Sequence, residues 1–318
     1  MGKASTLSSL FDSNYLGMKN ILINGDFRIW QKGTDLNPAS VGNQVTTVDR
    51  WTTQYADFSP RIRKIEDTIS GQTVDTMEIT KLSGTFASCE ITQKVETNVA
   101  KYLRGQQVTF SFWIKKIGST FGSHATQFWL GDSETVDDPG WTNPRTSDRG
   151  RSSGVTGTST TVTFANNNWV KYSITRTLSS DTNTIYCTIY TINTPTSEGI
   201  RIARCQLECG SISTPFEIRP IALETSLCQR YFEQVESGEI PEASTYYAGW
   251  KYLNPVRFAE TKRATPTITV TSQGGWPNGS GGGYGVSSNP QYVAFSGQSG
   301  NAVNNNLHTY SCFANAEI

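Results

Sequence analysis

The side chains that most often carry out acid–base, nucleophilic or metal chemistry are sparse in this chain. The two histidines, His124 and His308, lie in no recognisable catalytic pattern, and the sequence has no H-E-x-x-H motif and no G-x-x-x-x-G-K-[ST] loop. The glycine-rich stretch 279–285 lacks the lysine of a phosphate-binding loop, so we interpret it as a surface loop. The sequence therefore contains no motif that supports an enzymatic function.

Acidic residues are the remaining candidates for catalysis, because glycoside hydrolysis needs only two carboxylates at a suitable separation. Four acids share one predicted loop and two share another: Asp132, Glu134, Asp137 and Asp138, then Glu66 and Asp67. Acids in such clusters are most often solvated loop residues, and we prefer that interpretation here. A hydrolytic pair in the 132–138 loop stays open as the alternative.

Six cysteines are scattered along the chain without the C-x2-C spacing of a zinc site: Cys89, Cys187, Cys205, Cys209, Cys228 and Cys312. Cys205 and Cys209 lie on a predicted strand, where a separation of four residues is too long for a disulfide. We therefore expect buried, reduced thiols and no bound metal or cofactor.

Sugar binding is better supported than catalysis, because sugars stack on aromatic rings and hydrogen-bond to amide and hydroxyl groups. The C-terminal part of the chain places four aromatic residues among Asn, Ser and Gly, and these are our receptor-contact candidates: Trp250, Trp276, Tyr284 and Tyr292. Core packing is the alternative for each of these rings. Trp141 lies in a long polar loop and is a candidate exposed aromatic, whereas the strand settings of Trp51 and Trp113 favour the core.

The elements that must position these residues are predicted to be β-strands. Short runs such as VTFSFWIKK and TIYCTIYTIN alternate with turn clusters, and Val108, Phe110, Phe112 and Ile114 recur with period two, as do Ile185, Cys187 and Ile189. This pattern is typical of a β-sandwich or jelly roll. The fold class is therefore all-β.

Charge and hydropathy exclude two classes of partner. Lys and Arg total 27 and Asp and Glu total 27, so the chain has no basic excess of the kind that binds nucleic acid. The sequence has no apolar window of the length that a membrane-spanning helix needs, so membrane insertion is not expected. The N-terminus also lacks the apolar region of a signal peptide.

Four segments are predicted along the chain. Residues 1–19 form a short leader, either an anchor to a partner protein or a tail, and residues 20–220 form the jelly-roll sandwich. Residues 221–234 form a linking helix, with Leu223, Leu227 and Tyr231 on one face. Residues 235–318 form a small C-terminal β-sandwich module that is receptor-facing and buries little surface alone, so oligomerisation would complete its core.

Several of these segments resemble a family of phage and prophage tail-fibre proteins. The opening NILINGDFRIWQKGT with VDRW resembles the start of that family's sandwich module. CQLECG, STPFEIRP and ETSLCQRYFE resemble its Q-L-E-x-G, T-P-F-E-x-R-P and L-C-Q-R-Y signatures, and VRFAETKRATPTITV with FANAEI resembles its C-terminal pattern. The resemblance implies a non-catalytic, virion-associated homotrimer, assembled in the bacterial cytoplasm, that attaches the phage to its host.

The sandwich is also similar to carbohydrate-binding jelly rolls that begin with N-G-x-F-E and carry a structural calcium. Here Arg28 stands where that Glu would be, so we predict no metal. The polar residues of the motifs are interpreted as structural, forming hydrogen bonds or ion pairs that set the geometry of the modules. They are Asn24, Asp26, Arg50, Glu208, Glu217, Arg219, Gln229 and Arg230.

The leading hypothesis is therefore a trimeric tail fibre or fibre-like appendage that binds a bacterial surface glycan. In it, residues 1–19 would bind other virion proteins and residues 235–318 would meet the receptor. Three alternatives stay open: a tailspike-like depolymerase, a purely architectural adaptor or capsid-decorating fibre, and a free carbohydrate-binding module from a secreted hydrolase. The missing β-helix repeat argues against the depolymerase.

Overall fold

The computed structural model divides the chain into two compact units, the first ending at Ile221 and the second covering Ala222–Glu317. The structure describes residues 18–37, 45–56, 59–83, 88–118, 126–138, 156–162, 167–192, 196–236, 242–247, 250–253, 255–274, 284–298 and 309–317. Most of the predicted leader, residues 1–17, lies outside the described residues. Each unit is considered separately below.

The described part of the first unit is almost entirely antiparallel β-structure. Its strands are β1 (Asp35–Leu36), β2 (Val45–Val48), β3 (Trp51–Ala56), β4 (Ser59–Ile69), β5 (Gln72–Ser83), β6 (Ser88–Val95), β7 (Gln107–Ile117), β8 (Thr126–Ser133), β9 (Thr156–Val162), β10 (Val170–Thr177), β11 (Thr184–Ile192) and β12 (Gly199–Cys209). A single helical turn, α1 (Thr97–Ala100), continues as a 3-10 turn (Lys101–Leu103) before β7.

These strands form two six-stranded sheets. The first has the order β1-β4-β5-β12-β7-β10 and the second the order β2-β3-β6-β11-β8-β9. One hydrophobic cluster draws side chains from both sheets, with Phe110 and Phe112 of β7 in the first and Ile185 and Ile189 of β11 in the second, all fully buried. The period-two alternation predicted for these two strands is confirmed, and so is the all-β sandwich.

The start and the end of the first unit meet at a β-bulge in β12. The register of β12 against β7 shifts between Ala203 and Gln206, and at the bulge the Cys205 amide donates to the carbonyl of Gly25 over 2.7 Å. A Cβ on Gly25 would lie 2.0 Å from the Cys205 carbonyl oxygen, so only glycine fits there. Asn20 closes the contact, since its side-chain amide donates to the Cys205 carbonyl over 3.0 Å.

The described part of the second unit contains eight further strands and helix α2 (Ile221–Gln229), whose first residue is the last of the first unit. They are β13 (Phe232–Glu236), β14 (Glu242–Tyr247), β15 (Trp250–Leu253), β16 (Val256–Arg257), β17 (Thr267–Gly274), β18 (Tyr284–Asn289), β19 (Tyr292–Gln298) and β20 (Thr309–Asn315). One sheet has the order β13-β20-β17 and the other β14-β15-β19-β16, with β18 also paired to β19. Their small core includes Val235, Phe258, Val293, Phe295 and Cys312.

Helix α2 is shorter than the sequence predicts. It ends at Gln229, and by Phe232 the chain is already a strand paired in register with Asn315 of β20. The buried positions of the helix are Glu224 and Cys228, not the predicted face, and Leu223 is 40% exposed. No helix in the part of the chain that the structure describes is long and apolar enough to cross a lipid bilayer.

Candidate functional site

The outer faces of the two sheets of the first unit differ in how much they expose. On the second sheet, Trp129, Tyr186 and Tyr190 point away from the core yet are buried. The Trp129 ring lies across Gly157 of β9, where a Cβ would come within 1.9 Å of the indole nitrogen. The centres of the Trp129 and Tyr186 rings are 5.9 Å apart. The outer face of the first sheet is more open, and it carries the candidate site.

A row of charged side chains crosses four adjacent strands of this open face. Arg63 of β4, Glu78 of β5, Arg201 of β12 and Lys115 of β7 are direct partners in register from strand to strand. Glu78 is 1% exposed and accepts hydrogen bonds from Arg63 and, over 2.7 Å, from Arg201. The side chains of Arg63 and Arg201 are 32% and 23% exposed, so the row presents cations to solvent above a buried carboxylate.

Asp67 of β4 contacts two cations of this row, Arg201 of β12 and Lys115 of β7. Its carboxylate accepts a hydrogen bond from Arg201 over 2.6 Å and pairs with Lys115. Partial burial favours its neutral form, but the bonds from Lys115 and Arg201 outweigh that effect and lower the pKa of Asp67 to about 2. The five residues Arg63, Glu78, Arg201, Asp67 and Lys115 are called the charge row below.

Two tryptophans adjoin the charge row. Trp113 lies two residues before Lys115 on β7, opposite Lys171 of β10, and the Lys115 ammonium sits 5.2 Å from the centre of the Trp169 ring. The expectation that Trp113 packs in the core is wrong: Phe112 and Ile114 face the core, so the residue between them faces outward. The expectation for Trp51 is confirmed, because it is fully buried.

A cleft of about 290 Å³ opens where the β4–β5 hairpin meets the bulge of β12. Its walls combine charged, amide and apolar side chains: Asp26, Arg28, Glu66, Gln72, Thr73, Val74, Asp75, Arg204, Phe216 and Ile218. Val74 is paired in register with Asp67, so the cleft adjoins the charge row. Its volume is at the lower end of the range of ligand pockets, about 300 Å³.

Asn24 and Arg50, two of the predicted structural residues, hold the loop that enters the sandwich. Asn24 is buried with a φ of 55°, and its side chain donates to the carbonyls of Ile29 (2.8 Å) and Asp49 (3.1 Å). Arg50 is also buried with a positive φ, of 71°, and donates to the carbonyl of Lys94 over 2.7 Å. Asparagine adopts that backbone region more easily than most residues, because its side chain bonds locally.

Asp26 and Arg28 pair at the wall of the cleft. Arg28 also donates to the carbonyl of Arg219 over 2.7 Å, so its guanidinium occupies the position beside Asp26. Burial raises the pKa of Asp26 in spite of this cation. Among the described residues no group of three or more His, Cys, Asp or Glu side chains is arranged to hold a metal ion.

Three motif residues fasten the segment after β12 back onto the sheet and onto the N-terminal segment: Glu208, Glu217 and Arg219. Glu208 accepts from the amide and hydroxyl of Thr214 over 2.9 and 2.6 Å. Glu217 accepts the amides of Lys19 and Asn20 over 2.9 and 2.8 Å, and Arg219 donates to the Asn20 carbonyl. Motifs almost 200 residues apart therefore form one interlocked structure.

Gln229 and Arg230 lie at the end of α2. The Gln229 carbonyl accepts a hydrogen bond from the Lys262 ammonium over 2.6 Å. The Arg230 carbonyl accepts a hydrogen bond from the amide of Arg263 over 3.0 Å. The Arg230 guanidinium lies 5.7 Å from the centre of the Tyr231 ring. These bonds join the helix end to the segment that precedes β17.

The four receptor-contact candidates stay predictions. Trp250 begins β15, Tyr284 begins β18 and Tyr292 begins β19, where Tyr292 is partly exposed. Trp276 lies outside the described residues, as do Trp141 and both histidines. The structure pairs Tyr292 with Asn289 in register.

Two of the four acids at 132–138 are not the solvated residues that the sequence suggested, whereas Glu134 is exposed. Asp132 is buried and accepts bonds from Arg176 (2.9 Å), the Thr182 hydroxyl (2.7 Å) and the Ser179 amide (2.9 Å). Asp138 is buried too and accepts from Ser133 over 2.9 Å. Sequence position alone could not reveal the partners of Asp132, which lie on β10 or between β10 and β11.

The six cysteines are free, and all except Cys209 are buried. Burial raises the pKa of Cys187 and Cys205 well above the ordinary value of a thiol. The sequence predicted buried, free thiols, and this is confirmed for every cysteine except Cys209, which is free but only partly buried.

Sequence reasoning missed the charge row and Trp113. The signal for Trp113 was present, because the alternation that places Phe112 and Ile114 in the core places Trp113 outside it. The charge row had no such signal, since its members come from four strands and meet only through the register of the sheet.

No family model matches the chain, and no curated protein matches it. Among solved structures, the chain is similar to the enzymatically active domain of bacteriophage CBA120 tailspike protein 4, with 12% identity, a TM-score of 0.36 and coverage of 55% of this chain and 21% of that one. A carbohydrate-binding module of the β-sandwich superfamily shows 19% identity, a TM-score of 0.34 and coverage of 53% and 63%. The module TmCBM61, solved with β-1,4-galactotriose, shows 15% identity, a TM-score of 0.31 and coverage of 61% and 100%. At these TM-scores, the sandwich assignment rests on the two sheets of the chain itself.

Proposed function

We propose that this chain is a non-catalytic attachment protein of a bacteriophage virion, of the tail-fibre type, that binds saccharides of the bacterial surface. The observation that carries the proposal is the open outer face of the first sheet, where Trp113 and Trp169 adjoin the charge row. Tryptophan rings offer a stacking surface for a sugar, and Arg and carboxylate groups bond to its hydroxyls. The ordered set of fibre-like motifs supports the virion role.

The test is binding of the purified chain to bacterial cells and to a panel of their surface polysaccharides. We expect Trp113→Ala to lower binding strongly and Trp113→Phe to restore part of it. Tyr102→Ala is the matched control, because Tyr102 is 52% exposed on the 3-10 turn and lies off the proposed face. Equal binding by the Trp113→Ala and Tyr102→Ala variants would remove the first sheet from the proposal.

The C-terminal aromatic residues are a second proposed contact surface on the same protein. Trp276→Ala and Tyr292→Ala test them in the same assay. If these two variants lose binding while Trp113→Ala keeps it, the receptor is met by the second unit. Loss in neither set, with binding by the unaltered chain, would contradict both surfaces.

Assembly on the particle is part of the proposal. Residues 1–19 would bind other virion proteins, and the second unit would complete its small core in a homotrimer. Light scattering of the purified chain and of a truncation ending at Pro220 measures this directly. We expect a trimer that becomes a monomer on truncation, and a monomeric full-length chain would contradict the trimer.

Depolymerase activity is the alternative that the same polysaccharides can test. Reducing ends are measured after prolonged incubation, and we expect none to be released. Release that is lost in Glu66→Gln, at the rim of the cleft, would replace the attachment proposal with a hydrolytic one.

A further inference from the structure

We infer that the saccharide bound by the first sheet is anionic, with its ring on Trp113 and its acid group at Lys171 and Lys19; this inference rests on the proposed function. The chain as a whole has no net charge, with 27 cations and 27 carboxylates. The charge around Trp113 differs from that average, and the difference comes from identifiable side chains.

Two ammonium groups converge on Thr214, and one of them belongs to the residue directly opposite Trp113 in the sheet. Lys171, the direct partner of Trp113 on β10, donates to the carbonyl of Thr214 over 3.0 Å. Lys19 donates to the hydroxyl of the same threonine over 2.5 Å and to the carbonyl of Pro215 over 2.8 Å. Both cations are thus held at one place by neutral oxygen atoms.

Two carboxylates lie near these cations. Glu217 accepts the Lys19 amide and is offset by Arg219, and Glu208 is already satisfied. It is buried and accepts three hydrogen bonds, two from Thr214 and one from Gln206 over 2.8 Å. Burial lowers the pKa of Lys171, and the charge of Lys19 adds to that effect while Glu208 opposes it. One positive charge therefore remains uncompensated at this point of the face.

The charge row adds a second uncompensated cation. It contains three cations, Arg63, Arg201 and Lys115, against two carboxylates, Glu78 and Asp67. The cleft, by contrast, is lined by three carboxylates, Asp26, Glu66 and Asp75, against two cations, Arg28 and Arg204. Of these places, the charge row and the Lys171–Lys19 pair carry a positive excess, and the cleft does not.

This arrangement suits a sugar that carries an acid group on its ring. The apolar face of the ring would stack on the indole of Trp113, and the acid would reach the two ammonium groups directly across the strand pair. A carboxylate of a uronic acid and a phosphate of a sugar-phosphate polymer share this chemistry. A neutral sugar would leave the two cations without a new partner.

The experiment measures binding to polygalacturonate and to its methyl ester, which has the same sugar ring without the charge. A phosphomannan arm, in which the phosphate is carried by a sugar ring, distinguishes phosphate from carboxylate recognition. We expect the acid form to bind at least tenfold more tightly than the ester at 50 mM NaCl, and this preference to shrink at 500 mM. Lys171→Gln should lose about tenfold in affinity for the acid form only.

Lys101→Gln is the matched control, since it removes one exposed cation from the 3-10 turn and not from the face. Equal binding of acid and ester, no binding of either charged polymer, or equal effects of the Lys171 and Lys101 substitutions would overturn the inference. If a neutral polysaccharide still binds and Trp113→Ala abolishes it, the proposed function stands without the anionic preference. If the chain binds no polysaccharide and no cell, the proposed function itself fails.

Discussion

Replacement of Glu78 by Gln tests whether the charge row stabilises the first unit. The side chain is 1% exposed and lies between Arg63 and Arg201, which both donate to it. Glutamine keeps the shape but turns an NH2 group toward one of the two guanidinium groups, so one hydrogen bond becomes a donor–donor contact. The other bond loses its charge assistance.

The size of the effect follows from burial. Removing one member of a buried ion pair costs about 3–5 kcal/mol, but Arg63 and Arg201 are 32% and 23% exposed and regain water. We therefore expect a loss of about 2–3 kcal/mol, which lowers Tm by about 5–10 °C for a unit of this size. The measurement is thermal unfolding followed by circular dichroism and calorimetry.

The control is Asp35→Asn, which breaks the exposed pair with Arg61 on the same sheet. An exposed pair contributes little, so Tm should stay unchanged. If Glu78→Gln leaves Tm as it is, or if the two variants lose the same amount, the charge row does not stabilise the sheet in the way described.

Three further predictions concern other parts of the molecule. Gly25→Ala should destabilise the first unit by about 3 kcal/mol or more, because the new Cβ would lie 2.0 Å from the Cys205 carbonyl oxygen. Urea unfolding measures this loss, and an unchanged midpoint would contradict the contact. Glu233→Gln should cost the second unit about 3 kcal/mol by leaving the buried Lys262 ammonium without its carboxylate, and adding Lys262→Met should recover part of the loss in the same assay. The pKa of Asp67 is lowered to about 2, so its stabilising contribution is complete above about pH 4, the pKa of the unfolded chain, and is lost as the pH falls through 2. The Asp67→Asn variant should therefore lack this loss when Tm is measured as a function of acid pH. Identical pH dependence of Tm in the two proteins would refute the prediction.

The sequence predicts the sandwich because its strands have one buried face. In β7 and β11 every second residue is apolar, and the structure buries Phe110, Phe112, Ile185 and Ile189 as the alternation requires. The linking helix was overestimated, because Tyr231 and Phe232 fit a helical period as well as a strand. Phe232 forms a strand because it pairs with Asn315, more than 80 residues later, and no local sequence pattern indicates that pairing.

The candidate site was largely hidden from sequence reasoning because its residues meet through non-local pairing. Arg63, Glu78, Arg201 and Lys115 become neighbours only once four strands are in register. Asp132 likewise looks like a loop acid until Arg176 and Thr182 are brought to it. Only Trp113 could have been placed, by applying the alternation of β7 to its other face.

The contact between Gly25 and the bulge of β12 has a consequence for the order of folding. Asn20 and Lys19 bond to Cys205 and Glu217, so the first unit cannot close before residue 217 has left the ribosome. At about 5–20 residues per second, the N-terminal segment waits roughly 10–40 s for its partners. During that interval the nascent sheet lacks β12 between β5 and β7, and both inner edges can pair with another chain. Crowded synthesis of many copies should therefore favour aggregation of incomplete first units, and slower translation before residue 199 should increase it.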